Sequence, residues 1–294
     1  MRMTVLGAGT MGHGIAQVSA MTGHEVVLRD LDEELVSKGI DAIRVNLEGG
    51  VERDKVTREE MTSTLDRIAS KTDLQSAIEG ADLVVEAVPE KLSLKKNVLS
   101  ESEKFLDEEA VLATNTSSLS VTELASALER PGQFVGLHFF NPVHIMALVE
   151  VIIAERTTDK THTLVLDYVA SLEKTPVTVR DSPGFASSRL GVALGVEAIR
   201  MVEKGVASPQ DIDTAMELGY NHPMGPLELT DVVGLDVRLD ILEYLREELG
   251  ERFKPPQLLK RKVRAGKTGK KSGEGFYVWE DGDRVAMSDE WSIQ

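Results

Sequence analysis

The chain has 294 residues, 41% of them hydrophobic, no cysteine, and 49 acidic against 33 basic residues for a net charge of −16. Two domains with real cores are within reach of that length, while disulfides, thiolate catalysis and cysteine metal sites are excluded, which makes the cytoplasm the default expectation. The acidity speaks against a nucleic-acid binder, which needs a basic footprint; no run of 18 apolar residues offers a membrane span, and the N-terminus enters a strand-like segment without a basic, apolar leader.

Met3 to Leu6 reads as a short buried strand. It leads into Gly7-Ala-Gly9-Thr-Met-Gly12, a glycine pattern that follows a strand and opens a helix. Gly7 allows the tight turn, Gly9 lets backbone approach a pyrophosphate, and Gly12 lets helix and strand pack closely. The helix N-terminus then offers amide donors to phosphates. The helix from Met11 to Met21 is expected to stop at Gly23. A second strand, Glu25 to Leu28, ends at Asp30, 18 residues after Gly12. An acidic residue there meets the adenosine ribose hydroxyls and repels a 2′-phosphate, so NAD is favoured over NADP.

Residues 32 to 70 read as a pair of polar helices broken at Gly49-Gly50. Lys38, Arg44, Arg53 and Lys55 are scattered among acids there and read as a solvated face, with a greeting for a phosphate-bearing substrate as the other possibility. Ala81 to Glu86 is a buried strand running into Ala87-Val-Pro-Glu90, with Lys95 on the following helix. Glu90 and Lys95 stand as cofactor candidates or as an exposed helix start. Val111 to Asn115 is a further strand. Ser120 and Glu123 fit a capping box for a helix from Val121 to Leu128, which leaves Asn115, Ser117 and Ser118 as polar groups that can face a ligand.

Gln133 to Leu137 reads as a strand that presents His138 near its end, before Asn141-Pro142 stops it. Histidine takes or gives a proton near neutral pH, and ligands of open α/β sheets lie beyond the carboxyl ends of strands. Glu150 sits inside an apolar strand-like run, Ala147 to Ala154. A buried carboxylate needs a partner, and His138 is a natural one. A satisfied core histidine beside a half-exposed carboxylate is the other reading of this stretch alone.

Thr158 to Glu173 has helical periodicity, and Pro176 to Arg180 is a last strand. Asp181-Ser-Pro183 is expected to cap the next helix with proline in its first turn. From there the pattern turns to helices only, so the domain boundary is placed after Pro183: residues 1–183, an α/β dinucleotide-binding domain, and residues 184–294, an all-helical domain. Helices are expected from Ala186 to Lys204, from Ser208, and from Leu227 to Leu249. Lys260 to Lys271 is a basic run, read as a solvated turn or a contact to phosphate or to the other domain. The apolar helical surface points to a homodimer.

Taken together, GAGTMGHGIAQ, VVEAVPE, NTSSLS, GLHFFNPV, LVEV, DSPGF, HPMGPLEL and GKKSGEGFY, in this order across nearly the whole chain, resemble the L-3-hydroxyacyl-CoA dehydrogenase family. The resemblance implies a Rossmann NAD domain, a helical dimerisation domain and an acyl-CoA thioester substrate. It implies His138 as catalytic base, Glu150 as its partner and Ser117 as a substrate contact. Cofactor contacts fall on Gly7, Gly9, Thr10, Met11, Gly12, Asp30, Ala87, Glu90 and Lys95, with Asn115 beside them. The chain departs from the family where Ser188 stands in place of an asparagine that also holds substrate, and where His144 and Ala147 replace a frequent proline and lysine. A related dehydrogenase of a free sugar or hydroxy acid, or a non-catalytic NAD-binding protein, are the alternative readings.

Overall fold

The computed structural model describes residues 1–288 and divides into two units, Met1–Phe185 and Ala186–Gln294. The first unit alternates strands and helices: β1 (Arg2–Leu6), α1 (Thr10–Met21), β2 (Glu25–Arg29), α2 (Glu33–Glu52), α3 (Arg58–Asp66), β3 (Ile68–Lys71), α4 (Leu74–Ile78), β4 (Leu83–Glu86), α5 (Leu92–Glu103), β5 (Val111–Thr114), α6 (Val121–Ala125), β6 (Phe134–Phe139), β7 (Leu148–Ile153), α7 (Asp159–Ser171) and β8 (Thr175–Arg180). The strands form one sheet in the order β3-β2-β1-β4-β5-β6-β7-β8. Every neighbouring pair is parallel except β6 and β7. The central strands β4, β5 and β6 are buried along their whole length, as a sheet covered by helices on both faces requires. The sheet order reverses at β1, which puts the glycine loop at the switch point where such sheets bind ligands.

Local chemistry sets most helix starts. Asp32 accepts from the Leu35 amide, Asp73 from Ser76, and Thr158 from Thr161, while Thr57 and Glu60 form a reciprocal capping box. Ser120 caps α6 through the Glu123 amide, but the Glu123 carboxylate does not return the bond; it pairs with Lys96. The helix is also shorter than expected, ending at Ala125.

Three expectations of this half are corrected. Gly49-Gly50 does not break a helix: α2 runs through both glycines, and the chain turns at Arg53 and Asp54. Gly50 serves close packing instead, since a Cβ there would stand 3.0 Å from Val56 Cγ2. Residues 68–70, read as helix, fall in the edge strand β3. Its residues, Ile68-Ala-Ser-Lys71, are mostly exposed and show no apolar-polar alternation, and only pairing with β2 defines it. Asp181 does not cap the following helix. Its carboxylate accepts from Ser120 Oγ and the Thr122 amide, both at 2.7 Å, and so ties the end of β8 to the start of α6.

The second unit contains α8 (Ser187–Glu203), α9 (Pro209–Tyr220), α10 (Pro226–Val233), α11 (Leu235–Leu249) and α12 (Gln257–Arg264), followed by an antiparallel hairpin of β9 (Tyr277–Glu280) and β10 (Asp283–Met287). The single helix expected over Leu227 to Leu249 is two, because Gly234 adopts φ +103° between them. The hairpin departs from a helices-only reading. It is held by Asp231 of α10, whose carboxylate accepts from the Phe276 and Tyr277 amides and from Trp279 Nε1. Three lysines of the basic run pair within this unit, Lys260 with Glu243, Lys267 with Glu274 and Lys271 with Asp236, while Lys262 is buried and donates to the Gly275 carbonyl.

Candidate active site

His138 and Glu150 are register partners on the one antiparallel strand pair of the large sheet. Cross-strand partners share a face, so the pairing carries both side chains to the same side. His138 Nδ1 lies 2.8 Å from Glu150 Oε2, and both residues are buried. With the carboxylate accepting, the proton sits on Nδ1 and the Nε2 lone pair is left for a reacting group. Phe140 and Phe185 flank the imidazole, with ring centroids 4.4 and 5.8 Å away. These rings limit its rotation and restrict water. The loop beyond β6 is tied down by Lys174, whose ammonium donates to the Val143 and Met146 carbonyls. Within that loop, burial lowers the pKa of His144, and the neighbouring charges of Arg53, His13 and Lys174 lower it further.

The glycine loop meets the steric demands of a dinucleotide. Gly7 has φ +103°, and a Cβ on it would stand 2.7 Å from the Ala87 carbonyl oxygen. A Cβ on Gly12 would stand 1.7 Å from the Gly7 oxygen, whereas one on Gly9 meets nothing within 4 Å. Gly7 and Gly12 therefore close the loop against β4 and α1, while open space lies above Gly9. No side chain caps α1, so its first-turn amides at Thr10, Met11 and Gly12 face that space unopposed by a protein oxygen. Asp30 is set at the end of β2 by the Ala8 and Leu31 amides, each at 2.7 Å. Its carboxylate oxygens keep further acceptor capacity for ribose hydroxyls. These residues fit NAD.

Two substitutions separate the roles of the glycines. Gly9→Ala is expected to leave the melting temperature near that of the wild type and to weaken NADH binding at least tenfold, about 1.4 kcal/mol, because its methyl fills the open cradle. Gly12→Ala should lose both affinity and melting temperature. NADH fluorescence titration and thermal melting check this; wild-type affinity in Gly9→Ala would remove the cradle.

Beside the loop, Lys95 is buried and bridges two carboxylates. Its ammonium lies 2.7 Å from Glu86 Oε1 and 3.3 Å from Glu90 Oε2. Glu86 also accepts from Thr114 Oγ1 and the Val88 amide. Burial raises the Glu86 pKa, with the Lys95 charge opposing it. At Glu90, burial works in the same direction, but Lys95 and the bonds from Thr116 and Ser117 outweigh it, and the pKa is lowered. Glu90 Oε1 gathers Thr116 Oγ1 at 2.5 Å, the Ser117 amide at 2.9 Å and the Ser118 amide at 3.1 Å. The exposed-helix-start reading of Lys95 is thus replaced by a buried cation that orders the Ser117 loop. Asn115 Oδ1 accepts from the Phe139 amide at 2.9 Å, which joins the end of β5 to the end of β6 beside His138.

Sequence reasoning did not single out Glu86, Lys174 or Phe185, and it read Asp181 only as a helix cap. The one available signal was an acidic residue closing the apolar run Val84-Val85-Glu86. Ser188 lies on α8 in the second unit.

A glycine loop at the switch point of a parallel sheet, with a carboxylate beyond the second strand and a histidine-carboxylate pair in the same unit, is the arrangement of a dinucleotide-dependent oxidoreductase. Residues 2–182 match the model of the 3-hydroxyacyl-CoA dehydrogenase NAD-binding domain, and residues 184–279 match that of the family's C-terminal domain. The chain therefore belongs to the 3-hydroxyacyl-CoA dehydrogenase family and is an NAD-dependent enzyme. It is 45% identical over 280 residues to a probable 3-hydroxybutyryl-CoA dehydrogenase of Deinococcus radiodurans, covering 95% of this chain and 100% of that one. It is 44% identical over 285 residues to the human mitochondrial hydroxyacyl-coenzyme A dehydrogenase, covering 95% and 91%. Among solved structures, the (S)-3-hydroxybutyryl-CoA dehydrogenase PaaH1 from Ralstonia eutropha superposes with a TM-score of 0.92 at 40% identity, covering 95% of this chain and 99% of that one. FadB2 from M. tuberculosis gives 0.91 at 41% identity with the same coverages.

Proposed function

We propose that this protein interconverts (S)-3-hydroxyacyl-CoA and 3-oxoacyl-CoA, with His138 as the acid-base group. The observation that carries this reading is the His138–Glu150 pair, in register and 2.8 Å apart. NAD, when bound, accepts the hydride from C3 of the hydroxyacyl group. His138 Nε2 removes the C3 hydroxyl proton, and Glu150 holds the Nδ1–H tautomer and offsets the positive charge that the ring acquires. In the reverse direction the imidazolium returns that proton to the forming hydroxyl. Ser117, fixed through its amide by Glu90, donates to a substrate oxygen. Ser188 replaces the family's asparagine with a shorter hydroxyl that reaches substrate directly or through a water. Thr10, Met11 and Gly12 hold the pyrophosphate, Asp30 holds the adenosine ribose, and Ala87, Glu90, Lys95 and Asn115 border the nicotinamide end.

The same reading places the enzyme in the cytoplasm as a homodimer formed through residues 184–294. Exposed Leu190, Leu218 and Tyr220 on the helices of the second unit support an apolar partner surface.

The experiment is NADH consumption with acetoacetyl-CoA against free acetoacetate. Turnover of the thioester alone is the expected result. Turnover of the free acid with equal efficiency would move the reaction to a hydroxy-acid dehydrogenase, and turnover of neither would favour a non-catalytic NAD-binding role.

A further inference from the structure

The turn that closes the first unit, Asp181 to Phe185, holds two consecutive residues in the left-handed region, Gly184 at φ +75° and Phe185 at φ +49°. Glycine takes that conformation at little cost, whereas a bulky L side chain there is an outlier. Phe185 is nevertheless buried, and its amide donates to the Ser182 carbonyl at 2.8 Å. Its side chain belongs to the same apolar cluster as Val121, Leu124 and Ile152. A strained backbone of this kind persists where its surroundings over-determine it, and such positions gather at functional sites. Here the strained residue is the one whose ring centroid stands 5.8 Å from that of His138.

Asp181 fixes the other end of the turn. Its amide donates to the Ile153 carbonyl at 2.9 Å, and Ile153 closes β7, the strand that carries Glu150. One oxygen of its carboxylate, Oδ2, accepts from both Ser120 Oγ and the Thr122 amide, where α6 begins just beyond Ser117 and Ser118. Ser120 already caps α6 by accepting from the Glu123 amide, so the helix does not need Asp181 in order to start. What the carboxylate adds is the position of the turn: charge-assisted bonds lock it to α6, while the amide locks it to β7. Asp181 thus stands where the Ser117 segment, the Glu150 strand and the Phe185 turn meet, all within the first unit.

We propose that Asp181 is a positioning residue for the acid-base pair: it fixes the turn that sets the Phe185 ring against His138, and through that ring it keeps Nδ1 of the imidazole facing Glu150. Its effect on turnover rests on the dehydrogenase reading above; its effect on the imidazole does not. Without the anchor, the left-handed backbone at Phe185 relaxes and its ring withdraws. The imidazole then gains rotational freedom, and water reaches its Nδ1 proton. A base displaced by a fraction of an ångström loses much of its rate, because proton transfer needs a held geometry.

The test uses Asp181→Ala, Asp181→Asn and Phe185→Leu in the full chain. In Asp181→Ala and Phe185→Leu, kcat for acetoacetyl-CoA reduction should fall by about tenfold or more, with NADH affinity within about twofold of wild type. Asp181→Asn, whose amide oxygen can still accept both bonds, should recover most of that loss. The double variant Asp181→Ala/Phe185→Leu should be no slower than the slower single one, as for two residues acting through one contact. A second readout needs neither substrate nor cofactor: NMR of histidine-labelled protein, with the His138 signal assigned against His138→Gln. The Nδ1 proton should exchange with water roughly tenfold faster in Asp181→Ala than in wild type. Rate losses that multiply in the double variant, or an unchanged exchange rate in Asp181→Ala, would overturn the proposal and leave the dehydrogenase reading standing. If Asp181→Ala does not fold, Phe185→Leu carries both readouts, and wild-type kcat with wild-type exchange in it overturns the proposal. Faster exchange in a protein that turns over no thioester would remove the dehydrogenase reading and uphold the positioning of His138 by Asp181.

Discussion

Replacing His138 by glutamine is expected to lower kcat for acetoacetyl-CoA reduction by about 10²- to 10⁴-fold, the range that a positioned acid-base group contributes, with NADH affinity within about twofold of wild type. Glutamine is close to histidine in size and can still bond to Glu150, so the packing against Phe140 and Phe185 is largely kept. What it lacks is a nitrogen that takes up a proton near neutral pH. On the proposed reading NADH is held by the glycine loop between β1 and α1 and by Asp30 just beyond β2, so its affinity is not expected to draw on the imidazole. Glu150→Gln is a milder change: the amide retains a hydrogen bond to Nδ1 but no longer offsets the charge of the imidazolium. Stopped-flow reduction with direct NADH titration checks both variants. Turnover of His138→Gln within about tenfold of wild type, roughly 1.4 kcal/mol, would mean that another group carries the proton.

Removing the Lys95 ammonium should cost more in stability than any other single substitution near the cofactor loop. Lys95→Met leaves Glu86 fully buried with its cation gone and releases Glu90 from one of its anchors. Breaking a buried ion pair by deleting one partner costs about 3–5 kcal/mol, which for a unit of this size lowers the melting temperature by on the order of 10 °C. The Ser117 loop should loosen as well, because the Glu90 carboxylate that binds its amides is no longer fixed. KM for the thioester should therefore rise together with the loss of stability. Adding Glu86→Gln to Lys95→Met should recover part of the melting temperature, since the uncompensated charge is gone. Thermal melting of the two single variants and the double variant measures this coupling. Strictly additive effects would show that Glu86 and Lys95 do not act as a pair.

Much of the molecule is legible along the chain because short-range chemistry decides it. The glycine loop carries its meaning in its spacing after a strand and before a helix: Gly7 and Gly12 each answer a steric demand of the fold, and Gly9 leaves open space between them. The apolar runs at Leu83 to Glu86, Val111 to Thr114 and Phe134 to Phe139 have no alternation because the sheet is covered on both faces. Ser208 and Thr158 announce their helices through side-chain oxygens that reach amides three residues on. His138 and Glu150 stand out as polar residues in buried strands, which is why a pairing between them could be expected at all.

The rest depends on contacts between segments far apart in sequence. Asp181 reads locally as a helix cap, yet its carboxylate binds residues 59 and 61 positions earlier. Gly50 looks like a breaker and proves to be the surface on which Val56 packs. β3 has no strand signal of its own and exists because β2 offers an open edge. Lys95 and Glu86 are nine residues apart, and only the turn from β4 into α5 brings them together. By itself, then, the sequence determined most of the alternation of strands and helices, the glycine loop, the family and the prominence of His138 and Glu150 as polar residues in buried strands. Tertiary structure alone decided that β7 runs antiparallel to β6, in the register that sets Glu150 opposite His138. A strand's own residues specify its two faces. Which neighbour it bonds to, and in which direction, follows from how the whole sheet packs at once.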